Sequence, residues 1–100
     1  MSGNDDRVLL DINYPAFQDE LFELDAAEFK KGSKTLKKIK GLTWQDLFRD
    51  SAKDWEHLKS APGKYSVRLS QSCRAIVRRE GSFMRFQSLH LDRDGTYGNK

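Results

Sequence analysis

Three runs of alternating apolar and polar residues, 65–70, 73–80 and 83–90, constrain this chain more than any other feature. Successive side chains of a strand point to opposite faces, so a period of two predicts strands with one buried side. Ala61-Pro-Gly63 marks a turn before the first run, and Gly81, with Glu80 or Ser82, makes a tight turn between the last two. The runs therefore predict antiparallel hairpins. By parity, Ala75 and Val77 share the core face with Met84 and Phe86, while Arg74, Ile76 and Arg78 share the other with Arg85 and Gln87. Tyr65, Val67 and Leu69 are the apolar set of the first run. Burying them requires an odd-length loop near Ser70-Gln71-Ser72, which sets Arg68 beside Arg74. Arg68, Arg74, Arg78 and Arg85 are thus expected to converge on the open face with no acid among them.

The first half reads differently. An apolar stretch over 8–12 predicts a short strand, stopped at Tyr14-Pro15, where proline suits the first position of a helix. Phe17, Leu21 and Leu24 then form one apolar stripe. Asp25-Ala-Ala-Glu28 is a capping pattern that opens a second helix. On that helix Phe29, Ser33 and Leu36 share a face flanked by Gly32 and Ile39, opposite Lys30, Lys31, Lys34, Lys37 and Lys38. The small residues 32 and 33 would let the first helix pack close, so the pair reads as a hairpin. Thr43-Trp-Gln-Asp46 opens a short third helix, and 55–58 reads as an edge strand. The expected fold class is α+β: an N-terminal strand and a two-helix hairpin on one face of a small antiparallel sheet, in one domain over 1–100.

Charge is segregated along the chain. Residues 1–28 carry a net −7, 29–40 a net +6 and 64–93 a net +5. Such cationic segments suggest a polyanion partner, nucleic acid first, and guanidinium groups match phosphate oxygens with paired donors. At 37% hydrophobic and 33% charged residues the chain is not of disordered composition. No apolar run approaches the ~20 residues of a membrane span, and the acidic N-terminus is unlike a signal peptide, so a cytoplasmic protein without membrane contact is expected. Cys73, the single cysteine, excludes an internal disulfide and is expected to be a small buried apolar residue.

Strand, two helices, then antiparallel strands ending in YSVRLSQSCRAIVRREGSFMRFQSLHLDRDGTYG resembles the RelE/ParE superfamily of bacterial toxins, and within it the small RelE-like branch. The resemblance spans the chain from Tyr14-Pro15-Ala16-Phe17 through Leu36-Lys-Lys-Ile39 and Thr43-Trp44 to the tail. It implies a RelE-like microbial ribonuclease fold, cleavage of mRNA, usually on the translating ribosome, and inhibition by a cognate antitoxin. By matching position, Arg68 and Arg74 are implied as the phosphate arginines, His90 as the catalytic residue of the tail and Tyr97 as its aromatic. Arg93 stands where a second histidine often sits in that family.

Metal-independent RNA cleavage needs a base for the 2′-hydroxyl, charge stabilisation at phosphorus and a proton for the leaving oxygen. The expected catalytic set is Arg68, Arg74, His90, Asp92, Asp94 and Tyr97. In it His90 is general acid or base, Asp92 or Asp94 orients it or acts as base, and Tyr97 stacks on a base or donates a proton. Arg78, Arg85, Arg93, Lys34, Lys37 and Lys38 are the expected RNA contacts. No cofactor or metal is expected: His90, Asp92 and Asp94 are closely spaced for a cation, and the arginines would compete with it. His57 is a second, weaker histidine candidate. One condition applies to His90. In a straight strand it would fall on the core face with Met84 and Phe86, and it reaches the open side only if the strand ends or bulges near Ser88-Leu89. The rival readings are a ParE-like inhibitor of DNA gyrase and a member that binds RNA or antitoxin with little or no cutting.

Overall fold

A computed structural model describes residues 6–91. In chain order these form β1 (Leu9–Asp11), α1 (Pro15–Phe22), α2 (Ala26–Lys40), α3 (Trp44–Arg49), a 3₁₀ turn (Ser51–Lys53), β2 (Glu56–His57), β3 (Lys64–Ser70), β4 (Cys73–Glu80) and β5 (Phe83–Leu91). The helix starts follow from their caps. Pro15 opens α1, the Asp25 carboxylate accepts from the Glu28 N–H, and the Thr43 hydroxyl accepts from the Asp46 N–H.

The strands make one five-stranded sheet in the order β1-β5-β4-β3-β2. The class is α+β as expected, but the sheet is mixed, because β1 lies parallel to β5. The helices carry the chain from β1 to the far edge. Three antiparallel steps then bring β5 back beside β1, running in the same direction. All three helices cover one face. Phe17, Leu21, Leu36, Ile39, Trp44 and Leu47 are buried there against the inward residues of β3, β4 and β5. Phe17 and Phe86 meet with ring centroids 5.0 Å apart, and the Trp44 indole N–H donates to the Ser82 carbonyl at 3.1 Å.

The helix pair departs from expectation at Gly32. That residue is buried, yet a Cβ added to it would meet nothing within 4 Å, so it is not a point of close helix approach. α1 and α2 touch at their near ends, through Phe22 and Phe29, with ring centroids 6.5 Å apart. Each helix lies mainly over a strand, α1 on β5 and α2 on β3. Burial of a wide apolar stripe is better served by the sheet than by a neighbouring helix. Among the described residues no helix is long and apolar enough to cross a membrane.

Two irregularities decide where side chains point. In β3 the pairing shifts between Arg68, opposite Arg74, and Ser70, opposite Cys73, so Leu69 is an extra residue. A two-residue turn plus this bulge does what an odd-length loop would have done, and Arg68 faces Arg74 as anticipated. In β5 the pairing shifts between Phe86, opposite Val77, and Ser88, opposite Ile76, leaving Gln87 as the extra residue. Helix side chains secure both places. The Thr35 hydroxyl donates to the Leu69 carbonyl at 2.6 Å, and the Leu89 N–H donates to the Glu20 carboxylate at 2.7 Å. The latter replaces a strand partner, since β1 pairs only with residues 83–85 of β5.

Candidate functional site

The face not covered by helices carries the charged side chains of the hairpins. Its most organised part is a row crossing the sheet near one end. Arg68 on β3 lies opposite Arg74 on β4, and Arg74 lies opposite His90 on β5. The Gln87 bulge is what brings His90 here. It reverses the alternation, so that Leu89 turns into the core and His90 is exposed beside Arg74. The condition set by parity is met, one residue earlier than anticipated. The His90 ring is held by the Ser88 hydroxyl, with Nε2 to Oγ 3.1 Å.

Asp54 completes the row from the other side, and sequence reasoning missed it. The preceding turn is capped by Asp50, which accepts from the Ala52 N–H and pairs with Lys53 at 2.9 Å. It leaves Asp54 in the left-handed region at φ 49°, ψ 55°, a conformation that aspartate tolerates better than most residues. From there one carboxylate oxygen accepts from Arg74 at 2.9 Å and from Arg68 at 3.3 Å. Arg74 also donates to the Ser66 hydroxyl at 2.6 Å, and Glu56 stands 3.5 Å from the same guanidinium nitrogen. Ser66 itself is buried, so it fixes Arg74 from beneath. Hydrogen bonding from Arg74 outweighs partial desolvation, and with help from Arg68 it holds the Asp54 carboxyl below the ordinary aspartate value of 3.8.

The expectation of four converging arginines without acids is corrected on both counts. Arg78 and Arg85 face each other across β4 and β5, four residues further along β4 from Arg74, or about 13 Å at strand rise. Arg85 pairs with Asp11 at 3.3 Å and with Glu80 at 3.2 Å. The physical reason is that like charges opposite each other in a sheet repel. Acids from β1, from the end of β4 and from the chain leading into β2 supply the compensation. Asp11, Asp54 and Glu56 come from segments outside the hairpins, so parity within them could not find these three; Glu80 follows Arg74 and Arg78 on the same face of β4, and parity carried to the end of that strand places it there.

Other expected residues lie elsewhere. Lys34, Lys37 and Lys38 are exposed on α2, on the opposite side of the sheet from the arginine row. Lys34 and Lys38, with Lys31, line a groove of about 420 Å³ against Ser70 and Gln71, whereas Lys37 borders a different one beside β1. His57 is on edge strand β2 and packs edge-on to Tyr65, centroids 5.1 Å apart, in an aromatic cluster with Trp55, not in the row. Cys73 is buried as expected, and burial, with the Glu28 charge nearby, pushes its thiol up to about 11, unsuited to a thiolate role. Arg79 serves the core side, its guanidinium 4.1 Å above the Trp44 ring and 3.2 Å from Asp6. Asp92, Arg93, Asp94 and Tyr97 lie outside the described residues.

The row can therefore present two guanidinium groups to one anion, with a carboxylate at one flank and an imidazole at the other. No protein-family model matches the chain, and no curated protein matches it.

Proposed function

We propose that this chain is the toxin of a type II toxin–antitoxin pair, a cytoplasmic RelE-like endoribonuclease that cleaves mRNA without a metal, in association with the ribosome. The observation that carries the reading is the row Asp54, Arg68, Arg74, His90 on the uncovered face. A scissile phosphate taken by Arg68 and Arg74 would have its developing negative charge met by fixed donors. The Asp54 carboxylate would take the proton from the ribose 2′-hydroxyl as that oxygen attacks phosphorus. His90, on the next strand from Arg74, would give a proton to the departing 5′ oxygen as its bond to phosphorus breaks. The products would be a 2′,3′-cyclic phosphate and a free 5′-hydroxyl. Asp92, Asp94 and Tyr97 extend the proposed site along the tail. Arg78, Arg85 and Arg93, and the α2 lysines Lys34, Lys37 and Lys38, extend the contact to flanking RNA.

One observation favours the rival that binds without cutting. Acids already neutralise Arg68, Arg74 and Arg85, so an anion must compete for them. The test is purified chain with single-stranded RNA and with ribosome-bound mRNA, in the presence of a chelator. Cleavage that disappears in His90→Ala and Arg74→Ala supports the proposal. Intact RNA in both assays refutes it, and arrest of DNA gyrase with mRNA untouched would select the ParE-like alternative.

A further inference from the structure

A second surface lies along the opposite edge of the sheet from Asp54. β1 is an edge strand, and a groove of about 800 Å³ runs beside it, floored by Leu9, Leu10 and Phe83 and rimmed by Arg7, Lys37 and Lys40. Leu9 and Phe83 are register partners and remain 45% and 44% exposed, large values for adjacent apolar side chains of a sheet. The backbone is open here as well. The Leu9 N–H donates to the Ser82 carbonyl on the β5 side, so the N–H and carbonyl of Leu10 point outward. Either side of Leu10 the edge is occupied. The Val8 N–H donates to the Leu42 carbonyl at 3.0 Å, and the Ile12 carbonyl accepts from Gln18 at 2.8 Å.

We propose that this groove docks an extended segment of a partner protein in which apolar residues alternate with carboxylates. Its backbone would pair with Leu10, its apolar side chains would cover Leu9 and Phe83, and its acids would meet Arg7, Lys37 and Lys40. Charge complementarity selects this occupant. A second copy of the chain would set the same three cations against each other, and among the described residues none of the three is in an ion pair. The surface lies apart from the arginine row and shares only Lys37 with the flanking RNA contacts proposed above.

The test is an amide-detected NMR titration of the full chain with an acetylated heptapeptide of alternating Glu and Val. The expected result is saturable binding with the largest shifts at Leu9, Leu10 and Phe83. A peptide with Lys in place of Glu should bind at least about tenfold more weakly, and Lys37→Glu/Lys40→Glu should weaken the acidic peptide by about tenfold. Both substitutions are at exposed helix positions, and an unchanged melting curve verifies the fold. Equal binding of the two peptides, an unaffected double variant, no binding at millimolar peptide, shifts centred on Arg68 and Arg74, or dimerisation through β1 would each overturn the proposal.

Discussion

Asp54→Asn keeps the shape of the side chain and removes its charge, which separates the two roles proposed for Asp54, occupant of the anion position and general base. Its pairs with Arg74 at 2.9 Å and Arg68 at 3.3 Å join side chains that are 27–40% exposed. Pairs of that kind are worth about 0.2–1 kcal/mol each after screening by solvent. A phosphate must draw both arginines from the carboxylate, so removing the competitor should tighten RNA binding by about 0.4–2 kcal/mol, or about 2- to 30-fold. One more net positive charge should steepen the fall of log affinity with log salt by about 0.7 for a single strand. Between about 50 and 200 mM salt the variant then loses about 2.6-fold more affinity than its parent. Cleavage should move the opposite way, down by about 10²- to 10⁴-fold, the range for loss of a general base. Anisotropy with an RNA carrying a 2′-methoxy group at the scissile position reads binding, and single-turnover cleavage of the unmodified RNA reads chemistry. Weaker binding with an unchanged salt slope would show that Asp54 props the arginines up and does not occupy their anion position. Cleavage within about threefold of the parent would remove it as the base. Asp54→Gly is a useful companion, since it deletes the carboxylate and relieves the left-handed backbone at φ 49°.

The remaining expectations can be checked on the same protein. Arg74→Lys replaces a planar fork that reaches Asp54, Ser66 and Glu56 together with a point charge, and should slow cleavage by about tenfold or more while circular dichroism stays native. Deleting Gln87 removes the bulge but keeps the observed pairs on a straight ladder, Phe86 with Val77, Ser88 with Ile76, Leu89 with Ala75 and His90 with Arg74; Leu89 stays inward and His90 outward, so the urea midpoint and cleavage should both stay close to those of the parent. A large fall in the urea midpoint would mean that the end of β5 does not keep its pairing with β4 when the extra residue is gone. With its thiol pushed up to about 11, Cys73 has about one part in a thousand as thiolate at pH 8, so maleimide should label it slowly when native and fast in denaturant. Because folding depresses the Asp54 carboxyl, its stabilising contribution is present above the ordinary value of 3.8 and is lost as pH falls below it. The stability gap between parent and Asp54→Asn should accordingly hold near neutral pH and close in acid.

The arrangement of acids on the uncovered face follows from electrostatics between strands. Arg68 facing Arg74, and Arg78 facing Arg85, are unfavourable pairs if left alone. Asp54 lies against Arg68 and Arg74, Glu56 against Arg74, and Asp11 and Glu80 against Arg85; three of these acids lie beyond the hairpin strands that carry the arginines. The same acids that make the cations tolerable in the free protein set the strength with which an anion must bind to displace them.

Local pattern sufficed for much of this molecule. The period of two over 65–70, 73–80 and 83–90 defined β3, β4 and β5 and, in β5 as far as Phe86, their buried faces, because alternation is a property of any pleated strand and owes nothing to what packs on it. Proline at 15, Asp25 and Thr43 located three helix starts for equally local reasons: the proline ring fixes its own φ at the first helical position, and the two caps bond to backbone within their own first turns. The register of Arg68 with Arg74 was also legible, since only one register buries Val67 and Leu69. Tertiary structure alone decided the rest. The parallel placement of β1, the extra residue at Gln87 that exposes His90, and the arrival of Asp54 between two arginines each depend on segments brought together from afar. Their energy comes from contacts between such segments, so no periodicity in the chain records them.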